Sequence, residues 1–319
     1  MKKVTLTIDG NNITVPSNFT IMDAAKKVGI KIPALCYDPN LEIVSACRLC
    51  LVEIEGTNKL KTSCSTKIKE GMVVYTETEK LTKIRREILQ LLLDSHPNDC
   101  LTCQKAGECL LQEYSYRYDV KFRQHDGEMR PKLYDISSPY IFKDNSKCIL
   151  CGKCVRTCNQ IKEERQVLAF ADRGYDTKIV ADLNQTFEES KCVSCNRCVT
   201  VCPTGALIDK RLKGKVRVWD SEVRTVVCKS CSYGCEYDVL STKGKNIAVR
   251  AKSSSNDRPL CLTGRLMTEL KYLENPEIPY RKIDGKFVES NWISALGLNS
   301  VIDKINKLEE KNVKGDKND

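Results

Sequence analysis

The chain has 319 residues, long enough for two or more small domains, and its 41% hydrophobic and 29% charged residues are ordinary for a soluble protein. No stretch approaches the ~18 uninterrupted apolar residues of a membrane-spanning helix, so no direct membrane span is expected. The formal charge of +10 would suit nucleic acid, but the chain has 19 cysteines, and thiolates would offset most of that charge. We therefore expect no nucleic-acid partner, and we expect the surface lysines to aid solubility and to suit acidic partner surfaces.

The cysteines favour metal binding over disulfides. A secreted protein with this many cysteines would be a disulfide scaffold, but the N-terminal run Met1–Asp9 alternates apolar and polar residues and lacks the continuous apolar core of a signal peptide. The sequence therefore predicts a cytoplasmic protein whose thiols are reduced. Metal ligation is then their leading use.

Residues 1–78 are predicted to form a small α+β domain. Alternating residues in Val4–Ile8 and Ile13–Val15, on either side of an Asp-Gly turn, predict a hairpin. A short helix is predicted from Thr20 and a strand at Leu51–Ile54. This domain contains the first cysteine group: Cys36, Cys47, Cys50 and Cys64.

Residues 79–118 begin with a predicted helix. Apolar residues recur at helical spacing from Glu79 to Asp94, and Ser95-His96-Pro97 ends the pattern. The second group of candidate ligands follows: His96, Cys100, Cys103 and Cys109. Residues 119–137 are predicted to be a connector, part of a polar, tyrosine-rich stretch (Tyr114–Tyr140) expected to lie on the surface.

Residues 138–215 contain an internal repeat, because two similar cysteine strings recur after 44 residues. Both have the spacing C-x2-C-x2-C-x3-C of bacterial two-cluster ferredoxins, in which three cysteines bind one [4Fe–4S] cluster and the fourth binds the other. One predicted site is therefore Cys148, Cys151, Cys154 and Cys202. The other is Cys158, Cys192, Cys195 and Cys198. A pair of zinc ribbons is the alternative.

Residues 216–290 hold the remaining cysteines, and residues 291–319 are predicted to be a charged C-terminal tail. The last ligand set is Cys228, Cys231, Cys235 and Cys261. Together the five sets use all 19 cysteines and His96, so no thiol is left over. The other histidine, His125, has no cysteines near it in the sequence and is expected to be structural or exposed.

These motifs resemble known families. The first unit resembles a plant-type [2Fe–2S] ferredoxin with the longer first gap found in respiratory complex I and [FeFe]-hydrogenases, which implies a β-grasp fold. The second resembles the histidine-ligated [4Fe–4S] segment of the same families. Zinc remains the alternative for the first site. The active-site cysteine run of [FeFe]-hydrogenases is absent, so hydrogen production is not expected.

The fourth unit resembles the N-terminal [4Fe–4S] domain of molybdopterin oxidoreductases, and the likeness extends through Arg258–Arg265 and Phe287–Trp292. That family usually has a lysine where this chain has Thr263. Too few residues follow Trp292 for a pterin domain, so none is expected. The unit order resembles the front of NAD-linked formate dehydrogenase alpha subunits and the large iron–sulfur subunit of complex I. This resemblance implies a multi-domain α+β electron-transfer subunit with one [2Fe–2S] and four [4Fe–4S] clusters.

This resemblance implies partners. No Gly-x-Gly-x-x-Gly follows a strand and no phosphate-binding loop occurs, so no flavin, NAD or molybdopterin is expected on this chain. A partner that binds FMN and NAD(H) is implied, because a flavin must convert hydride into single electrons. A small thioredoxin-like [2Fe–2S] subunit and a terminal catalytic subunit, formate dehydrogenase or another, or a ferredoxin are also implied.

Two other interpretations remain open. One is a split or truncated molybdopterin-dependent formate dehydrogenase subunit, which would bind molybdenum or tungsten. The other is a multi-zinc nucleic-acid-binding module, which would be colourless.

Overall fold

The computed structural model describes residues 2–160, 166–253 and 260–315. The described helices are α1 (Ile21–Lys27), α2 (Glu79–Asp94), α3 (Leu110–Arg117), α4 (Lys153–Asn159), α5 (Arg197–Val201), α6 (Leu262–Tyr272), α7 (Trp292–Ala295) and α8 (Asn299–Gly315). The described strands are β1 (Lys3–Ile8), β2 (Asn11–Pro16), β3 (Leu51–Ile54), β4 (Lys61–Thr62), β5 (Val73–Tyr75), β6 (Tyr134–Asp135), β7 (Ile141–Asp144), β8 (Leu168–Ala171), β9 (Lys178–Ala181), β10 (Leu207–Asp209), β11 (Glu222–Val227), β12 (Glu236–Thr242), β13 (Lys245–Ser253), β14 (Tyr280–Ile283) and β15 (Lys286–Glu289).

The first unit is a five-stranded mixed sheet in the order β2-β1-β5-β3-β4. Strands β1 and β2 form the predicted antiparallel hairpin, and β5 pairs parallel with β1. Helix α1 begins with a reciprocal cap, since Thr20 accepts a hydrogen bond from the Asp23 backbone and Asp23 accepts one from Thr20. Its buried Ile21 and Ala24 pack on the sheet residues Leu6 and Val52.

Helix α2 has the predicted bounds, and Thr78 caps its first turn. Its apolar face, with Leu89 and Leu93, packs with Tyr114 and Tyr118 from α3 and the residue after it. The second unit is therefore a helical pair placed beside the first domain.

The remaining units are small sheets and short helices. The ferredoxin repeat contains the sheet β10-β7-β6, the hairpin β8-β9 and the helices α4 and α5. The fourth unit is the antiparallel sheet β11-β12-β13, on which α6 packs. The hairpin β14-β15 follows α6. Within the described part of the chain, no helix combines the length and the apolar character needed to cross a membrane.

The structure corrects one sequence prediction and adds detail to another. Tyr114, Tyr118 and Tyr140 are 3%, 4% and 0% exposed, so both ends of the stretch expected on the surface contribute to cores, whereas most of the connector 119–137 between them is exposed. A tyrosine can bury its ring while its hydroxyl keeps a polar partner, and Tyr118 donates to Glu77 at 2.9 Å. The segment 291–319, expected to be a tail, contains α7 and α8; residues 316–319 lie outside the described residues.

Candidate iron–sulfur sites

The first cysteine group lies together at the edge of the β-grasp sheet. The Cys50 thiol donates to Cys64 at 3.4 Å, and the Cys47 backbone N–H donates to the Cys36 sulfur at 3.4 Å. A hydrogen bond from the Cys47 thiol lowers the pKa of Cys36 to about 5, and one from Cys50 lowers the pKa of Cys64 to about 6. The pKa of each donor, Cys47 and Cys50, is raised in turn, so within each pair the acceptor sulfur ionises first, and an ionised sulfur is the form that binds iron.

Arg85 of α2 holds the loop of this first site. Its side chain is fully buried and donates to the backbone oxygens of Leu49 at 3.0 Å and Leu51 at 2.8 Å, on either side of Cys50. It also lies 2.9 Å from a Glu77 carboxylate oxygen, so its charge is paired. The second unit thereby fixes the ligand loop of the first.

The second group begins where α2 ends. His96 is buried, its Nδ1 accepts a hydrogen bond from the Asn98 backbone at 3.2 Å, and its buried Nε2 has no hydrogen-bond partner in the described structure. Burial lowers the pKa of His96 to about 4, so the ring is neutral, as a metal ligand must be. Cys100, Cys103 and Cys109 lie close enough for their charges to interact.

The second group contacts the ferredoxin repeat directly. A Cβ placed on Gly205 would lie 2.6 Å from the Cys103 sulfur and 3.3 Å from Cδ of Lys147. The Leu110 backbone also donates to the oxygen of Pro203 at 2.9 Å. The segment that follows Cys202 therefore touches the loop that bears Cys103.

The two ferredoxin strings cross over in space in the way their spacing predicts. One cavity is lined by Cys148, Cys151, Cys154 and Cys202. A second cavity is lined by Cys158, Cys192, Cys195 and Cys198. No group of three or more His, Cys, Asp or Glu side chains within the described ranges is arranged to hold a metal ion, and these cysteines instead border cavities. Each cavity is thus bordered by four cysteines, the number of ligands that a [4Fe–4S] cluster requires.

The same backbone turn builds both cavities. Leu150 and Ser194, which are equivalent in the repeat, have φ angles of 54° and 53°. The next equivalent pair, Gly152 and Asn196, has φ angles of 70° and 62° and begins α4 and α5. In this left-handed turn the Ser194 N–H donates to the Cys192 sulfur at 3.3 Å. Both halves of the repeat thus share a strained backbone that points N–H groups at sulfur.

The fourth group lies between the β11-β12 turn and the start of α6. Gly264 donates its N–H to the Cys261 sulfur at 3.2 Å, and a Cβ on Gly264 would lie 3.2 Å from the Cys228 sulfur. The charges of Cys228, Cys235 and Cys261 also act on Tyr237, whose pKa is raised mainly by burial. Cys231 is exposed on the intervening loop. The motif residues Arg258 and Pro259 lie outside the described residues.

Polar side chains join the groups. Arg156 of α4 donates to the Cys36 backbone oxygen at 2.6 Å and to that of Cys151 at 3.3 Å, which links the first group to the ferredoxin repeat. Asn196, next to Cys195, donates to Asp209 at 3.0 Å, and buried Arg265 of α6 lies 2.8 Å from the same carboxylate. Sequence reasoning missed these contacts, since no local pattern marks residues that meet from distant parts of the chain.

Nothing comparable surrounds His125. Its Nδ1 lies 2.6 Å from the Asp94 carboxylate, and its side chain is 71% exposed. It therefore occupies the structural and exposed position expected for it.

These features define an iron–sulfur protein assembled from ferredoxin-type domains. Residues 1–79 match the family described as 2Fe-2S iron-sulfur cluster binding domain. Residues 85–124 match the NADH-ubiquinone oxidoreductase-G iron-sulfur binding region, and residues 147–206 match the 4Fe-4S dicluster domain. The chain thus carries [2Fe–2S] and [4Fe–4S] domains in a multi-domain α+β fold.

The chain is also similar in sequence to curated oxidoreductase subunits. The chain is 36% identical over 297 residues to the NADPH-Fe(3+) oxidoreductase subunit alpha of Geobacter sulfurreducens, covering 92% of this chain and 34% of that protein. It is 35% identical to an NADH-quinone oxidoreductase subunit of Rhizobium meliloti, covering 92% of this chain and 34% of that one. It therefore spans about a third of the length of these curated relatives.

The chain is also similar to a solved structure. The chain is similar to a chain of an NAD+-reducing [NiFe]-hydrogenase, with a TM-score of 0.60 and 30% identity, covering 67% of this chain and 91% of that one. The chain belongs to the family of iron–sulfur subunits found in NAD(P)H-linked oxidoreductases and hydrogenases.

Proposed function

We propose that this chain is the iron–sulfur electron-transfer subunit of a multi-subunit NAD(H)-linked oxidoreductase. It relays single electrons between a partner that binds FMN and NAD(H) and a terminal catalytic subunit or ferredoxin, and a small thioredoxin-like [2Fe–2S] subunit is a further partner. When bound, the clusters supply one-electron redox chemistry. The chain itself has no substrate site in this proposal.

The proposal includes five ligand sets. Cys36, Cys47, Cys50 and Cys64 hold a [2Fe–2S] cluster. Four [4Fe–4S] clusters are held by His96 with Cys100, Cys103 and Cys109; by Cys148, Cys151 and Cys154 with Cys202; by Cys158 with Cys192, Cys195 and Cys198; and by Cys228, Cys231 and Cys235 with Cys261. We place the chain in the cytoplasm.

The observation that carries the proposal is that the first and second candidate sites both contact the ferredoxin repeat, and the two ferredoxin sites contact each other, through residues near the ligands. Arg156 bridges the backbone oxygens of Cys36 and Cys151, and Gly205 brings the chain after Cys202 against the Cys103 sulfur. Helices α4 and α5 pack together and carry cysteines of both ferredoxin sites. Such contiguity supports a relay, because the protein's task is to hold one-electron centres close together.

The chain's own groups support cluster binding. His96 offers a buried, neutral nitrogen without a partner in the described structure, and backbone N–H groups point at sulfur in the cysteine turns. These N–H groups stabilise negative charge on the thiolates and so tune the potentials of the groups they hold.

Metal analysis of the anaerobically purified chain tests the proposal. We expect about 18 iron atoms per chain with matching labile sulfide, broad visible absorption, and low-temperature EPR signals of reduced [2Fe–2S] and [4Fe–4S] clusters. Stoichiometric molybdenum or tungsten would favour the split formate dehydrogenase. Stoichiometric zinc in a colourless protein would refute the proposal.

A second experiment tests whether NADH can reduce the chain only through a flavin-containing partner. Adding NADH to the chain alone should leave it oxidised, whereas NADH with an FMN-containing partner subunit should reduce it. Reduction by NADH without the partner would contradict the absence of a flavin and NAD site.

A further inference from the structure

The hairpin β14-β15 lies outside the five ligand sets but folds back onto the second ferredoxin site. The Tyr280 backbone N–H donates to the Tyr140 hydroxyl at 2.8 Å, and the two rings meet edge to face. The Phe287 backbone N–H lies 3.4 Å from a Glu188 carboxylate oxygen. These contacts fix the hairpin beside the loop that leads into Cys192.

Lys282 is the residue of the hairpin that reaches this loop. Its half-buried Nζ donates to the backbone oxygen of Ser190 and lies 3.3 Å from those of Phe187 and Cys192. Three carbonyl oxygens therefore hold one ammonium group at the ligand Cys192. Its positive charge acts on the Cys192 sulfur.

The internal repeat gives this lysine a counterpart. Shifting the sequence by 44 residues places Cys148 on Cys192 and Lys143 on Phe187. Lys143 lines the first ferredoxin cavity together with its four cysteines. The second repeat has a buried, apolar Phe187 at the equivalent position, and Lys282 is bonded to the oxygen of that same residue.

Two other lysines of the first repeat have basic counterparts in the second, whereas Arg130, whose charge also acts on the Cys148 sulfur, corresponds to Gly174. Lys147 is equivalent to Lys191 in the repeat, and Lys153 is equivalent to Arg197. At the position of Lys143 the second repeat has no cation, and Lys282 from the distant hairpin provides one instead.

We propose that Lys282 sets the reduction potential of the second ferredoxin-type cluster by supplying the positive charge that Lys143 supplies at the first. The inference rests on the proposed ligand sets. Reduction adds one negative charge to a cluster, and a fixed cation in a partly buried site stabilises the reduced form more than the oxidised form. Lys282 is thus a positioning and tuning residue and binds no iron.

Redox titration followed by EPR on the anaerobically purified full chain tests this. In Lys282→Met, the equilibrium constant for one-electron reduction of the second ferredoxin cluster should fall about tenfold, a shift of about 59 mV to lower potential. Lys282→Arg should restore the original value. Lys143→Met should move the other ferredoxin wave instead, which identifies the two clusters.

Two further variants separate charge from packing. Lys282→Gln keeps an N–H donor for the carbonyl oxygens and should show the same shift with full iron content. Lys286→Met removes an exposed lysine from the same hairpin and should leave both waves unchanged. If Lys282→Met loses iron, Lys282→Gln decides the result.

The outcomes are distinct. Unmoved waves in Lys282→Gln at full iron content, or an equal shift in Lys286→Met, would overturn the role of Lys282 and leave the electron-relay proposal standing. Absence of two [4Fe–4S] ferredoxin waves from the unaltered chain would overturn both.

Discussion

Replacing Gly205 by alanine tests the contact between the histidine-bearing site and the ferredoxin repeat. The added Cβ would lie 2.6 Å from the Cys103 sulfur, whereas non-bonded heavy atoms of this kind settle near ~3.5–4.0 Å. Gly205 does not have a left-handed backbone, so the substitution adds a steric conflict without adding backbone strain. One methyl group therefore forces the two loops about 1 Å apart.

The neighbours of Gly205 leave little room for this movement. The Lys147 side chain lies 3.3 Å from the same Cβ position, and its Nζ is paired with Asp99 at 2.8 Å. The Leu110 N–H is bonded to Pro203 on the other side. Overpacking of this kind typically costs about 1–3 kcal/mol. Because the clash is with a candidate ligand, we expect much of the cost to fall on cluster binding.

We therefore expect Gly205→Ala to lose up to about four iron atoms, with selective weakening of one [4Fe–4S] EPR signal. Gly127→Ala is the matched control, since nothing lies within 4 Å of its Cβ position and its backbone is not left-handed. Iron analysis and EPR of both variants, purified in parallel, give the comparison. Full iron content and an unchanged spectrum in Gly205→Ala would refute the close approach of Cys103 to the ferredoxin repeat.

Two other predictions concern α2 and the residues that follow it. His96→Cys should retain full iron content but lower the reduction potential of the cluster that His96 is proposed to bind, because a thiolate is more negative than an imidazole. Redox titration should show this shift. The control, His125→Ala, changes an exposed histidine and should leave the potential unchanged. Arg85→Met should destabilise the chain by about 3–5 kcal/mol, because the backbone oxygens of Leu49, Leu51 and Thr76 lose their buried donor, while Glu77 keeps its pair with Arg117. Urea denaturation should show this loss, and exposed Lys83→Met should not.

Features with local causes could be predicted from the sequence. Helix α2 has the predicted bounds because its apolar period and the Thr78 cap lie within one segment. Strand β3 and the first hairpin were predicted correctly for the same reason. The crossed cysteine sets of the ferredoxin repeat are brought together as expected, since the C-x2-C-x2-C turn is itself a local structure repeated twice.

Features that depend on distant segments could not be predicted. Nothing around Gly205 in the sequence indicates that Cys103 lies against it, because the two are separated by about a hundred residues of other structure. Tyr114, Tyr118 and Tyr140, which flank the connector, were wrongly expected on the surface, because their neighbours in sequence are polar while their neighbours in space are apolar or cationic. Tyr140, for example, has Arg211 and Arg265 over its ring.

The positive charge of the chain acquires a more specific meaning from these contacts. From composition alone, the basic residues were expected to aid solubility and to suit acidic partners. In the structure, Arg156 donates to the oxygen of Cys36, Arg217 to that of Cys103, and Lys282 contacts that of Cys192. Each cation comes from a unit other than the one whose candidate ligand it contacts. Because a bound cluster and its thiolates carry net negative charge, such cations stabilise both the loaded sites and the contacts between units. Contacts between the units and the electrostatics of the clusters therefore depend on the same side chains. Loss of a cluster should weaken the contact between the two units beside it.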